Sequence, residues 1–236
     1  MSNKLTIEHP HLYGLSGAHL VEHQGMLLEK ETLQSFIKMA ASAKQAGIEL
    51  AICSAYRSFE RQLLIWNNKA SGKRSLLDKD SKPLAFDQLD NAQLVKAILT
   101  WSALPGASRH HWGTDLDVFD AASISKQKLQ LIPQEYHPNG PCYQLANWLQ
   151  QHAHEFGFFF PYQAGKSGVS PEPWHISYAP IAGEYLNLFK PEHLEFILAQ
   201  HNILLKNEIL TQLPYLVQNY VFNIADVVNN SNENNG

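Results

Sequence analysis

The stretch S-R-H-H-W-G-T-D-L-D-V-F, residues 108–119, decides how this chain is read. From Thr114 onward polar and apolar residues alternate, which marks a half-buried strand. Just before it, Gly113 permits a tight turn. That turn can fold a loop histidine, His110, back beside a strand carboxylate, Asp117. A neutral imidazole nitrogen and a hard carboxylate oxygen both suit zinc. Asp115 lies on the same strand face as Asp117, so it too can reach a metal or the groups around one. His111, the neighbour of His110, points elsewhere.

Two further segments join this one. E-P-W-H, residues 172–175, places Glu172 ahead of Pro173, which cannot donate to a sheet ladder. Glu172 therefore belongs in the mouth before a strand, residues 174–178, that carries His175. Two histidines and one aspartate give three protein ligands and leave a fourth position for water, and an unliganded glutamate nearby can take a proton from that water. S-A-Y-R-S-F-E-R-Q, residues 54–62, sits where an apolar run, residues 48–53, meets a helix that Ser58 can cap. Singly, each residue has a plainer reading: His110 or His175 as a satisfied polar histidine, Asp117 as a turn or cap carboxylate, Arg57 as a surface cation or half of an ion pair.

The rest of the chain supplies the frame. Leu33, Phe36, Ile37 and Ala40 recur at helical spacing within 29–46, and Gly47 follows as a C-terminal cap. Residues 70–87 read as a loop, and Asp90 starts a helix through Leu94, Ile98 and Leu99. Residues 120–140 are polar, with two prolines, and read as an insertion beside the site. A helix over 142–155 ends at Gly157, 158–160 form a strand and 163–173 a loop. From Pro180 the pattern turns helical, punctuated by Pro191 and Pro214, and the last eight residues form a polar tail expected to be disordered. This order predicts an α+β domain over 1–180, a helical C-terminal extension over 181–228 packed on it, and a tail over 229–236.

Composition narrows the function. The 236 residues carry 18 Lys plus Arg against 22 Asp plus Glu, a formal charge of −4, with 44% hydrophobic and 17% charged residues. Such a balance excludes a largely disordered chain, and it offers no electrostatic reason to expect nucleic acid or an anionic membrane as partner. No stretch approaches the ~20 apolar residues of a membrane span, and the N-terminus lacks the roughly 7–15 apolar residues of a secretory signal. A cytoplasmic location is the expectation. Cys53 and Cys142 make no disulfide framework and suit a reducing compartment. Among the 12 histidines, His9, His11, His19, His23, His152 and His154 have no ligand spacing.

Together the three segments resemble the VanY-type zinc carboxypeptidases, which include D-alanyl-D-alanine carboxypeptidases and L,D-carboxypeptidases of bacterial cell-wall peptides. The family pattern S-x-Y-R-S-x-x-x-Q, S-x-H-x-x-G-x-x-x-D and E-x-W-H is complete and in order here, spanning residues 54–175. The resemblance implies a small antiparallel sheet flanked by helices, with one zinc at one end held by His110, Asp117 and His175. It implies Glu172 as general base, Arg57 as the group that steadies the scissile carbonyl, and Gln62 and Ser108 as holders of the substrate's terminal carboxylate. Tyr56 either supports the substrate pocket or packs. Asp115 stands where many relatives carry Ala, and motif position favours Asp117 as the ligand. The implied partner is a murein peptide, with oligomeric state left open. A cytoplasmic enzyme would meet imported tetrapeptide fragments, which favours L,D-carboxypeptidase action in murein recycling. D,D-carboxypeptidase action on pentapeptides and a catalytically weak murein-peptide-binding module are the alternatives.

Overall fold

A computed structural model describes residues 5–226; the tail expected over 229–236 lies outside the described residues. A hairpin, β1 (Leu20–His23) and β2 (Met26–Glu29), leads into α1 (Lys30–Gln45), followed by β3 (Leu50–Ser54), α2 (Phe59–Ala70), α3 (Asn91–Leu99), β4 (Asp115–Asp120), α4 (Tyr143–His152), β5 (Phe158–Phe159) and β6 (His175–Tyr178). Three helices close the chain: α5 (Ala179–Leu188), α6 (Pro191–Gln200) and α7 (Lys206–Val217). The main sheet is antiparallel in the order β3-β4-β6-β5.

Local signals explain most boundaries. Ser58 Oγ accepts from the Arg61 amide at 3.2 Å and starts α2. Asp90 and Gln93 form a reciprocal capping box at the head of α3. The β1–β2 hairpin carries no strong turn signature in sequence: Gln24 and Gly25 occupy its turn with φ 51° and 78°, where asparagine or aspartate would be the usual partner of glycine. Pro214, read as a break, lies inside α7, which runs on to Val217.

The sheet has two unlike faces. Leu116, Val118 and Ile176 point into a core shared with Phe36, Met39 and Ala43 of α1 and Leu145 and Leu149 of α4. Asp115, Asp117, His175 and Ser177 alternate with them and therefore face the other way. That other face is not solvent: all six residues of β4 are buried, so the expectation of a half-buried strand is corrected. Its polar residues meet one another rather than water. A second core joins α2 and α3 to α5, α6 and α7 through Phe59, Trp66, Leu94, Ile98, Leu194, Ile197, Leu213 and Leu216, among others.

Candidate metal centre

His110 belongs to a short 3-10 turn, Arg109–Trp112, closed by Gly113 at φ 73°. A Cβ at 113 would stand 2.9 Å from the backbone nitrogen of Glu29 and would also strike the Leu20 side chain, so the hairpin and the turn together demand glycine. Asp117 and His175 are opposite one another across β4 and β6. Nε2 of His110 lies 3.3 Å from Asp117 Oδ2, and Nδ1 of His175 lies 3.2 Å from Asp117 Oδ1. The three donor atoms fall within 4.8 Å of one another, and no other group of three metal-ligating side chains converges this way among the described residues.

Hydrogen bonds from behind decide which nitrogen faces the centre. His110 donates from Nδ1 to the Ala55 carbonyl at 2.8 Å, which leaves Nε2 with its lone pair inward. His175 donates from Nε2 to Asp115 Oδ1 at 3.0 Å, which leaves Nδ1 inward. Asp115 also accepts from Arg109 Nε at 2.7 Å, Thr114 Oγ1 at 2.7 Å and Ser177 Oγ at 3.1 Å. Its oxygens are fully engaged behind a ligand. Asp117 Oδ1, in contrast, is buried without a hydrogen-bond partner. A buried carboxylate oxygen lacking a donor is costly, and this one, 3.2 Å from His175 Nδ1 and on a carboxylate whose other oxygen faces His110, is a cation ligand in waiting. Two nitrogens and one oxygen with an open fourth position fit a catalytic zinc.

The charges agree. Burial by itself would raise the Asp117 carboxyl, yet the imidazoles of His110 and His175 hold it well below the usual carboxylate range. Burial disfavours the His175 imidazolium, but Asp115 and Asp117 outweigh this and push it up to about 10 in the metal-free chain. Glu172 Oε2 stands 3.4 Å from His175 Nδ1. Burial, aided by the Asp117 charge, pushes the Glu172 carboxyl up to about 8, against the pull of His175, Arg57 and Lys69.

A cleft of about 250 Å³ opens over these residues; Arg57, Ser108, Tyr162, Glu172 and Trp174 help line it, together with residues 130–132 of the polar insertion. Arg57 Nη1 donates to Gln62 Oε1 at 2.8 Å and Nη2 to Ser54 Oγ at 3.3 Å. Its backbone is fixed as well: the Arg57 amide donates to the His110 carbonyl at 3.1 Å, and His111 Nδ1 donates to the Arg57 carbonyl at 2.6 Å while its Nε2 accepts from the Gly106 amide. His111 thus points away from the metal, as expected.

Gln62 and Tyr56 are both engaged by hydrogen bonds within the protein. Gln62 has no exposed surface; its oxygen takes Arg57 and its nitrogen donates to the Ala103 carbonyl at 2.8 Å, so it braces Arg57. Tyr56 directs its hydroxyl at the Gly14 carbonyl, 3.4 Å away, and does not line the cleft. Sequence reasoning missed Arg109, Thr114 and Ser177 behind the ligands and Lys69 in the cleft. The signal for Lys69 was available: it follows Gln62 by seven residues, two turns along the same helix face.

Residues 25–181 match the family model described as VanY: D-alanyl-D-alanine carboxypeptidase. The chain belongs to this family. Its members are zinc-dependent carboxypeptidases, and His110, Asp117 and His175 form the candidate zinc site of this one. An uncharacterized protein of Haemophilus influenzae (strain ATCC 51907 / DSM 11121 / KW20 / Rd) is 36% identical over 125 residues, which make up 52% of this chain and 95% of that protein. A vancomycin-resistance D,D-pentapeptidase VanY solved with Zn(II) shares the fold with a TM-score of 0.51 at 21% identity, covering 80% of this chain and 88% of its own. The LdcB LD-carboxypeptidase shares it equally, with a TM-score of 0.51 at 22% identity over 81% of this chain and 77% of its own. Among the described residues no helix is long and apolar enough to cross a membrane.

Proposed function

We propose that this chain hydrolyses the last peptide bond of murein peptides and releases a C-terminal D-alanine. One observation carries the reading. Two inward imidazole nitrogens and the unpaired Asp117 oxygen converge beside a glutamate, Glu172, that is not needed to complete the ligand set. When bound, zinc supplies a Lewis acid that acidifies water and polarises a carbonyl. Glu172 accepts the proton of the attacking water and hands it to the departing amine. A buried carboxyl whose proton affinity is raised suits a group that must take and return a proton near neutrality. Arg57, braced by Gln62 and Ser54, offers its guanidinium to the carbonyl oxygen as negative charge gathers there. Ser108, buried on the cleft wall, offers a hydroxyl to the substrate.

For the substrate we take L,D-carboxypeptidase action on tetrapeptides, within cytoplasmic murein recycling. The support is metabolic. A cytoplasmic enzyme that cut D-Ala-D-Ala would consume the cell's own pentapeptide precursor, whereas trimming an imported tetrapeptide would not. Likeness of fold does not separate the two activities, because a D,D-pentapeptidase and an LD-carboxypeptidase match equally well. The test is kcat/KM of the zinc-loaded protein on soluble tetrapeptide and pentapeptide muropeptides, with products identified by mass spectrometry. A tetrapeptide preference is expected. A pentapeptide preference of about tenfold, or roughly 1.4 kcal/mol of transition-state discrimination, would make it a D,D-carboxypeptidase. Peptide binding without release of any amino acid would leave a binding module.

A further inference from the structure

Lys69 is 8% exposed, near the end of α2, and it lines the same cleft as Glu172 and Arg57. Its ammonium donates to Ser102 Oγ at 2.7 Å, and no carboxylate lies within 4.0 Å of it among the described residues. An ammonium has three donors and is rarely buried without an anion. Burial and the charges of Arg74 and Arg57 lower its proton affinity to about 8, with Glu172 the opposing influence. Nothing in the catalytic arrangement uses it. The fold nevertheless holds a buried cation on the lining of this cleft, with a single hydroxyl for company.

We propose that Lys69, seated on Ser102, is the countercharge for the terminal carboxylate of the substrate and makes the enzyme an exopeptidase. The inference rests on the carboxypeptidase reading and deepens it. Three observations favour this carboxylate over one further up the peptide. Of the two residues the family resemblance offers for the task, Gln62 is engaged with Arg57 and Ala103, and Ser108 carries no charge. Arg57 is itself tied to Gln62 and Ser54 beside the metal ligands. The cations also differ in exposure: Lys69 is buried, while Arg74 is exposed on the cleft lining. The group that travels deepest into a small cleft is the end of the chain, whereas a carboxylate upstream stays at the mouth, within reach of Arg74. A buried ammonium paired with a carboxylate discriminates strongly, because a neutral end group would leave the charge unpaired.

The experiment compares a tetrapeptide ending in a free D-alanine carboxylate with the same peptide ending in D-alaninamide. The wild-type protein should favour the acid by about 100-fold in kcat/KM. Lys69→Met should reduce that ratio to about threefold or less with zinc content unchanged, and Lys69→Arg should keep most of it. A structural role would slow both peptides equally and leave the ratio intact, which would overturn the proposal. A wild-type protein indifferent to the end group overturns it without any variant, and Lys69→Gln replaces Met if the latter does not fold. If the wild-type protein cleaves neither peptide, the carboxypeptidase reading fails separately. Calorimetric binding of the two peptides then judges Lys69: an acid preference erased by Lys69→Met supports it, and equal binding or a retained preference refutes it.

Discussion

Asp115 and Asp117 stand two residues apart on one strand face and grip the same imidazole from opposite sides. Asp115 takes Nε2 of His175 together with Arg109, Thr114 and Ser177, while Asp117 faces Nδ1 with an oxygen that nothing else satisfies. Their loss should therefore differ in kind. Asp117→Ala should abolish stoichiometric zinc. Asp115→Asn should weaken zinc by about 10–100-fold without abolishing it, since it removes only support from behind a ligand. Dialysis against graded chelator followed by metal analysis separates the two, and the reverse order would exchange their roles. A pH effect follows from the same contacts. In the metal-free chain His175 stays protonated up to about 10 because Asp115 and Asp117 outweigh the cost of burial. A cation that takes Nδ1 must displace that proton, so affinity should rise with pH by about tenfold per unit for each proton released. Competition titrations at several pH values between about 6 and 8 check this; a flat profile would mean that His175 is already neutral.

At the scale of elements, the turn between His110 and β4 does the positioning. Gly113 combines φ 73° with the close approach of the Glu29 backbone, and the Glu29 amide donates to the Gly113 carbonyl at 2.9 Å. Gly113→Ala should cost about 1–3 kcal/mol of stability and lower zinc affinity, read by denaturant unfolding and metal analysis; a variant with wild-type values for both would show that the turn relaxes freely. This turn was legible in the sequence because a glycine between a histidine and an alternating strand leaves few alternatives. So were α2 and α3, whose caps Ser58 and Asp90 are side-chain signals. The hairpin that presses on Gly113 was not, because its Gln24-Gly25 turn lacks the usual asparagine or aspartate. Arg109 was passed over for a related reason. A charged residue in a loop reads as solvated, and only the tertiary fold reveals that this one is 2% exposed and stacked 4.6 Å above Trp112. Motif spacing also could not reveal that Gln62 turns its amide toward Arg57, since that depends on where the Ala103 carbonyl arrives.

At the scale of the molecule, two cores share the work of holding one cleft. The sheet with α1 and α4 fixes the metal ligands, and the helical core fixes α2, whose buried face carries Gln62 and Lys69 alongside Phe59 and Trp66. Helices α6 and α7 lie beyond the matched family region, which ends at residue 181, yet the loop that joins them clamps α2 directly. Trp66 Nε1 donates to the Leu204 carbonyl at 3.0 Å, and Asn67 exchanges hydrogen bonds with Asn202 and Leu204. The cations of the cleft and the metal ligands thus reach one site from separately built halves. Glu172 lines the cleft with both groups: its Oε2 lies 3.4 Å from His175 Nδ1, and the charges of Arg57 and Lys69 also act on it. The most direct test of the account is Glu172→Gln, assayed together for zinc content and for release of D-alanine from muropeptides. The account predicts one zinc per chain, as in the wild-type protein, and a fall in kcat of about 10²–10⁴-fold, because the amide cannot accept the proton. Loss of zinc would make Glu172 a ligand, and undiminished turnover would remove it from the chemistry; either result would contradict the account.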